Sequence, residues 1–486
     1  MRRCPWLVLL TWCIVLVTPA SAVAAGQTSY TLDKNGQRLP APLGYVFQRE
    51  IDTIYTAAGS MKNPSYLFID GQHHLWISDT DNNRLLELRS DGSLVREVGK
   101  GVLLAPQGLF VTENGDIFVA DGGHGEVVRF DKNGQKVSAF GKPQAYVLSS
   151  DASYKPTRVV VDKRGYLYII NGGGDYRGII QLDEEGIFRG FYGANHNLFD
   201  LSRAMTRAFA SADQKRQLSR TLPSSDSSLF IDASGFIYTT SATAPTGQIK
   251  KLNAIGNNVL RLVDRKQFFG LVAEKTGGFF GETTGTGRNQ QRPQFVDITV
   301  DDRGLFTALD SNSGKVYQYD QSGNMLTVFG GKGWQEGVFD YPSSLKVDQD
   351  GSIYVLDSSR KNIQVFRPTQ FAALVQNASV LYYDGKYEEA AAVWKEVARL
   401  DTNYLLAHSG LGKAYQKREQ YQEAMREFQA ADDRKGYSGA FAEYRQVYMR
   451  EHFPQVAGLF VLAMVVLVLI TRGARRVMIA TSGSAA

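Results

Sequence analysis

The sequence predicts a mainly β protein: a six-bladed β-propeller, then an array of α-helical hairpins, then a single C-terminal transmembrane helix. Three observations carry that reading. Residues 106–141 form four short apolar runs separated by Asx/Gly turns, the pattern of a four-stranded antiparallel meander. The unit then recurs in a fixed phase. Its first turn, Asp162-x-x-Gly165, returns at Asp232, Asp301 and Asp348, and in degenerate form as Asp70-x-x-His73 and Thr112-x-x-Gly115. Six residues after the Gly or His position stand Asp79, Asp121, Asn171, Ser241, Asp310 and Asp357. Six such sheets around one axis protect each other's edges, as a propeller does. Finally, the periodicity turns helical after Pro368 and the chain becomes uniformly apolar after Gln455.

The N-terminus has Arg2 and Arg3, an apolar stretch from Trp6 to Val17, and Ala20-Ser21-Ala22. Residues 1–25 therefore read as a secretory signal, with an uncleaved anchor as the alternative. Both cysteines, Cys4 and Cys13, lie inside this segment. A cleaved chain has no thiol for a disulfide, a thiolate zinc site or a nucleophile.

Residues 26–368 are assigned to the propeller. Its last unit is one strand short, because a helical pattern follows Arg367-Pro368. An unclosed ring leaves an unpaired edge, so residues 45–51 are expected to supply the outer strand of the last blade. Between the third and fourth units, residues 196–222 break the strand pattern with a basic helical insertion, read as a packed cap or a docking element. Residues 277–287 are glycine-rich but lack the Gly-Lys-Ser/Thr ending of a phosphate loop, and read as a flexible loop.

Residues 371–450 carry helical repeats. Tyr387, Ala390 and Trp394 are matched 34 residues later by Tyr421, Ala424 and Phe428, the tetratricopeptide signature of small residues at helix crossings and aromatics in the gaps. Gly439 to Glu451 is expected as a third, capping helix. Residues 454–471 are then the transmembrane helix and 472–486 a short basic tail. Arg472, Arg475 and Arg476 place that tail in the cytoplasm. The N-terminal arginines agree, so the propeller and repeats are expected outside a cell membrane crossed once. Charge supports this topology. Without these three arginines and Arg2 and Arg3, the 54 basic and 49 acidic residues become 49 of each. A near-neutral ectodomain is not a nucleic-acid surface.

The blade pattern Trp76-Ile77-Ser78-Asp79-Thr80-Asp81-Asn82-Asn83-Arg84-Leu85 resembles the NHL-repeat propellers. The wider chain resembles a bacterial membrane-anchored group of them. The shared features are Tyr30-Thr31-Leu32-Asp33 before Pro42-Leu43-Gly44-Tyr45, the basic insertion, Lys251-Leu252-Asn253, Phe329-Gly330-Gly331, Tyr383-Asp384-Gly385-Lys386-Tyr387 and the last helix. The resemblance implies association with ABC transporters for carbohydrate uptake, hence protein partners at the membrane and a carbohydrate-type ligand.

Two rings of side chains are expected at one mouth of the central channel. Ser65, Gln107, Thr157, Ser227 and Ser343 sit near the starts of innermost strands, and Asp79, Asp121, Asn171, Ser241, Asp310 and Asp357 at the ends of second strands. The acids suit a structural role as acceptors for turn N–H groups; a polar ligand or cation mouth is the functional alternative. Lactonase-like propellers need a carboxylate and amide set on the innermost strands to hold a divalent cation, and no innermost strand here begins with Glu. Lyase-like propellers depend on channel histidines, and only His124 falls near the mouth. No metal, cofactor or catalytic set is therefore assigned. The reading is a binding or scaffold protein, with a cation-dependent hydrolase or lyase as the alternative. Three or more carboxylate or imidazole groups within coordination reach in the channel would favour the enzyme.

Overall fold

The computed structural model describes residues 29–32, 37–52, 59–144, 153–172, 178–193, 226–244, 246–260, 264–268, 271–275, 279–284 and 290–482. The signal-like segment and the insertion at 196–222 lie outside these residues. Six sheets make the propeller, each starting on an innermost strand: Pro64–Ile69, Pro106–Val111, Pro156–Val161, Asp226–Ile231, Phe295–Val300 and Pro342–Val347. The repeated Asx turn forms as its sequence requires. In the third blade the Gly165 N–H donates to the Asp162 carbonyl (2.9 Å), and the Asp162 carboxylate accepts from the N–H groups of Arg164 and Tyr166. Gly165 has φ +83°, a conformation open to glycine. His73 takes that position in the first blade at φ 62°. Its Nδ1 lies 2.7 Å from the Asp348 carboxylate of the last blade, so the histidine bridges the seam of the ring.

The ring closes as expected. Tyr45–Asp52 pairs antiparallel with Asn362–Pro368, from Tyr45 against Pro368 to Asp52 against Asn362. The fourth blade departs from the four-strand pattern, with three strands among the described residues. After Ile249–Leu252 the chain makes only an isolated bridge, Leu252 to Asn258. The Asn258 side chain accepts from the Lys251 and Leu260 N–H groups, replacing ladder bonds that a fourth strand would make. Among the described residues, Asp264–Phe268 and Leu271–Lys275 pair with each other in a separate two-stranded sheet. The glycine-rich stretch is anchored where it is described. Phe280 is buried in the core of the fifth blade, and Glu282 binds Lys315 (2.8 Å) and Arg38 (2.9 Å). Arg38 and Tyr30 belong to a two-stranded hairpin, Tyr30–Leu32 with Arg38–Pro40, held against that blade.

Five helices follow: α1 (Gln370–Tyr383), α2 (Tyr387–Leu400), α3 (Leu405–Lys417), α4 (Tyr421–Ala430) and α5 (Arg434–Ser482). Their glycines lie at the crossings. A Cβ on Gly410 would stand 2.6 Å from the Trp394 ring, and one on Gly412 2.7 Å from Phe428. The helices are seated on the turn face of the fifth blade. Leu305 and Leu326 join the core of Phe371, Trp394 and Tyr404, and the Tyr404 hydroxyl donates to the Leu326 carbonyl (2.5 Å). Closing strand and helices also share partners. Thr369 caps α1 by accepting from the Ala372 N–H, and its hydroxyl donates to the Leu43 carbonyl. Gln376 of α1 donates to the buried Tyr45 hydroxyl (2.9 Å) and to the Gln318 side chain (2.8 Å). The expected third helix and membrane helix are one element, since α5 continues through Pro454. Its apolar part, of mean hydropathy 2.6 and unburied, is long and apolar enough to cross a membrane.

A truncation starting at Asp52 is expected to melt far below the intact chain, because it bares the edge of Asn362–Pro368. Gln376→Ala takes the donor from the buried Gln318 side-chain oxygen, while the Tyr45 hydroxyl keeps its bond from Gln318, and is expected to cost about 1–3 kcal/mol in denaturant unfolding. Unchanged midpoints for both would place closure and seating elsewhere.

Candidate functional site

Antiparallel order brings the starts of innermost strands and the ends of second strands to one face, the mouth. The register pairs Pro64 with Asp79, Pro106 with Asp121, Pro156 with Asn171, Asp226 with Ser241, Phe295 with Asp310 and Pro342 with Asp357. Both predicted rings therefore assemble, and their bonding is structural. Asp79 accepts from the Lys62 N–H (2.7 Å) and Arg84 (2.8 Å), Asp121 from the Leu104 N–H (3.0 Å) and Asn171 from the Lys155 N–H (2.6 Å). Asp310 accepts from the Gln294 N–H (2.8 Å), and Asp357 from those of Asp340 (2.7 Å) and Tyr341 (3.1 Å). Each thus fixes the loop that enters its own innermost strand.

The hydroxyl ring ties blades together. Ser65 donates to the Pro106 carbonyl (3.5 Å), Ser227 to that of Phe295 (2.5 Å) and Ser343 to that of Pro64 (3.3 Å). In each case the acceptor begins the next blade. Thr157 donates to Ile170 of its own blade (3.3 Å), and Gln107 is half-buried beside Gly122.

Below the mouth, the third residues of the innermost strands meet at the axis. This layer is Tyr66, Gly108, Arg158, Ser228, Asp297 and Ser344. Asp297 is fully buried. Its carboxylate accepts from Ser228 (2.6 Å), Ser344 (2.5 Å), the Leu345 N–H (2.9 Å) and the Lys346 ammonium (2.9 Å). Lys346 and Arg158 both lie over the Tyr66 ring, 4.5 and 4.7 Å from its centroid. A Cβ on Gly108 would come within 2.9 Å of the Arg158 side chain, so glycine there leaves room for the arginine. Burial alone would push the Asp297 carboxyl up. Lys346 and Arg158, with the two serine hydroxyls, outweigh it and hold the carboxyl below the usual aspartate range. This cluster escaped the sequence reading because its members share no residue type. Their one common signal is position, two residues after the start of each innermost strand.

His124 lies at the mouth as expected, about half exposed, with Nδ1 2.8 Å from the Asp121 carboxylate. Asp121, His124 and Glu126 each place a ligand atom within 4.8 Å of the others. Asp121 is already engaged by Leu104, and Glu126 by Lys136 (3.2 Å). A second trio, Asp70, His74 and Glu87, lies on the opposite face, where Trp76 and Arg96 bind its carboxylates. The sequence reading also missed the exposed aromatics of the mouth. Trp334 (69% exposed) and Tyr341 (61%) stand on the loop between the fifth and sixth blades.

Asp297→Asn leaves the buried Lys346 charge uncompensated and is expected to cost about 3–5 kcal/mol. The wild-type contribution has a defined sign with pH. The folded pKa is depressed, so the contribution is full above about pH 5 and drains as the pH falls through the ordinary aspartate value of about 4. Unfolding midpoints from pH 3 to 7 check both. A variant as stable as wild type at pH 7, with the same acid limb, would remove Asp297 from this role.

Comparison with known proteins fits this architecture. The NHL-repeat family pattern matches residues 339–366, and a tetratricopeptide-repeat pattern matches residues 378–418. A probable peptidyl-alpha-hydroxyglycine alpha-amidating lyase of Caenorhabditis elegans is 31% identical over 108 residues, covering 22% of this chain and 30% of that protein. The chain thus spans about a third of the length of this curated relative. Among solved structures, virginiamycin B lyase from Staphylococcus aureus is 13% identical, with a TM-score of 0.40 over 66% of this chain and 99% of that one. A gluconolactonase from Xanthomonas campestris is 13% identical, with a TM-score of 0.41 over 71% and 96%. The chain is a six-bladed β-propeller with an NHL-repeat match in its sixth blade, followed by helices with a tetratricopeptide-repeat match at residues 378–418.

Proposed function

We propose that the protein is a membrane-tethered binding scaffold whose propeller mouth docks a partner outside the cytoplasm. The observation that carries this reading is the division of the mouth. Its polar rings are spent on backbone bonds and blade seams, whereas Trp334 and Tyr341 present exposed rings, the latter with the Lys332 ammonium 5.7 Å from its centroid. Exposed aromatics of this kind supply the anchors of protein interfaces and stacking faces for sugars. The helices seat on the opposite face of the fifth blade, so the mouth is presented away from α5. By resemblance, the partner is a component of a carbohydrate ABC transporter and the ligand class is carbohydrate.

A second reading rests on one observation, the Asp121, His124 and Glu126 trio. A divalent cation there would replace the His124–Asp121 contact and support a hydrolase or lyase. The local similarity to a probable lyase makes this worth testing.

Purification of the intact membrane protein with its partners is expected to recover transporter components, and Trp334→Ala with Tyr341→Ala to lose them while the melting temperature holds. Retained capture would exclude the mouth as the docking surface. A divalent-cation-dependent turnover that disappears in His124→Ala would establish the second reading instead. Protease added to wall-stripped cells is expected to digest the propeller; protection with an intact membrane would overturn the outside placement.

A further inference from the structure

Among the described residues, Arg158 stands in the axial layer without a carboxylate partner. Arginines elsewhere in the blades are neutralised: Arg84, Arg96, Arg129, Arg164, Arg189 and Arg303 each form an ion pair with an acid. Arg158 is half-buried and gives Nη1 only to the carbonyl of its neighbour Thr157 (2.9 Å). Its Nε is buried with no hydrogen-bond partner. The acid of the layer, Asp297, is committed to Lys346, Ser228, Ser344 and the Leu345 N–H. The axis therefore carries two cations, Arg158 and Lys346, against one carboxylate. A buried charged donor without an acceptor is costly, and an anion bound beside the guanidinium would recover that cost.

The surroundings show from which side an anion would come. Two residues further along the first four innermost strands stand Phe68, Phe110, Val160 and Phe230, and Phe68 meets Phe110 edge-on with centroids 5.5 Å apart. That side is hydrocarbon. On the mouth side the first three blades present Ser65, Gln107 and Thr157, one residue above the layer. These are two hydroxyls and an amide, and among the described residues the half-buried Gln107 amide is in no hydrogen bond. Gly108 lacks the Cβ that would stand 2.9 Å from the Arg158 Cδ, so the arginine can lie across the second blade toward Tyr66. The rim acids Asp79, Asp121, Asp310 and Asp357 are buried and turned onto N–H groups of the entry loops, which keeps them out of the approach.

We propose that the channel mouth over the first three blades binds a small carboxylate-bearing ligand. The Arg158 guanidinium pairs the carboxylate, and Ser65, Gln107 and Thr157 contact the polar body that carries it. A planar guanidinium fork matches the two oxygens of a carboxylate. The local excess is a single positive charge, which a carboxylate balances and a phosphate dianion overshoots. The site lies across the ring from the loop of Trp334 and Tyr341 and does not depend on a partner docked there.

Calorimetric titration of the full-length protein in detergent, at constant ionic strength, tests the site. The probes are acetate and D-glucuronate, with D-glucose as the uncharged counterpart and inorganic phosphate as the competing oxyanion. Saturable glucuronate binding is expected, with glucose weaker by about tenfold or more and Arg158→Gln raising the glucuronate dissociation constant by about the same factor. Arg158→Lys keeps the cation over Tyr66 and loses the fork. It is expected to weaken glucuronate by about threefold or more with the melting temperature held, and it decides the question if the Arg158→Gln chain fails to fold. No saturable binding of either carboxylate, equal affinity for glucose and glucuronate, tighter binding of phosphate, or wild-type glucuronate affinity in Arg158→Lys would each overturn the proposal.

Discussion

The structure depends on one pairing, that of Tyr45–Asp52 with Asn362–Pro368. Until it forms, the sixth blade has a bare edge and the ring is open. The two strands lie more than 300 residues apart, so their pairing carries the loop-closure cost of the whole propeller. The residues that close the ring also seat the helices. Leu43 accepts from Thr369, the cap of α1, and the Tyr45 hydroxyl accepts from Gln376 within α1. Ring closure and docking of the helical array thus share one buried network, in which Gln318 of the fifth blade donates to the Tyr45 hydroxyl and accepts from Gln376.

The polar groups of the propeller divide by depth. At the rim, Asp79, Asp121, Asn171, Asp310 and Asp357 hold entry loops, and Ser65, Ser227 and Ser343 hold one blade to the next. At the axis, Asp297 gathers hydroxyls and a cation from the fourth and sixth blades. The Ser344 hydroxyl also accepts from the Leu67 N–H of the first blade, across the seam. A buried carboxylate is costly unless paired and hydrogen-bonded. Here both conditions are met only when the fourth, fifth and sixth blades stand in their native order. Asp297 therefore reports on correct assembly of the ring.

What the sequence made legible was local. Asx turns, strand phase and the acids that follow them recur because each blade solves the same backbone problem within about 25 residues. The closing strand was legible by elimination, as a missing partner and an unassigned run. The axial cluster was not, because its contacts join residues such as Leu67 and Ser344, 277 positions apart. Its members also follow no repeated residue type from blade to blade, with Tyr, Gly, Arg, Ser, Asp and Ser in turn. The fourth blade misled because Asn258 satisfies by side chain what a strand satisfies by backbone. At Pro454 the usual stop signal proved compatible with a continuous helix. Proline there removes one donor, to the Arg450 carbonyl, a loss that helices near membranes tolerate where other groups satisfy the freed acceptor.

Continuity of α5 has a mechanical consequence. The array is welded to the fifth blade by Tyr404, Gln376 and Phe371, and α5 is welded to the array by Phe428 and Ala440. No loop separates the last repeat from the apolar segment. The orientation of the mouth relative to the helix axis is thus a property of packed side chains rather than of a linker. A partner held at Trp334 and Tyr341 would be held at a set distance and angle from that axis, and force applied at the mouth would pass into the helix through the core around Trp394. Pro454, the one position within this path that lacks a backbone donor, is where such a stem would bend.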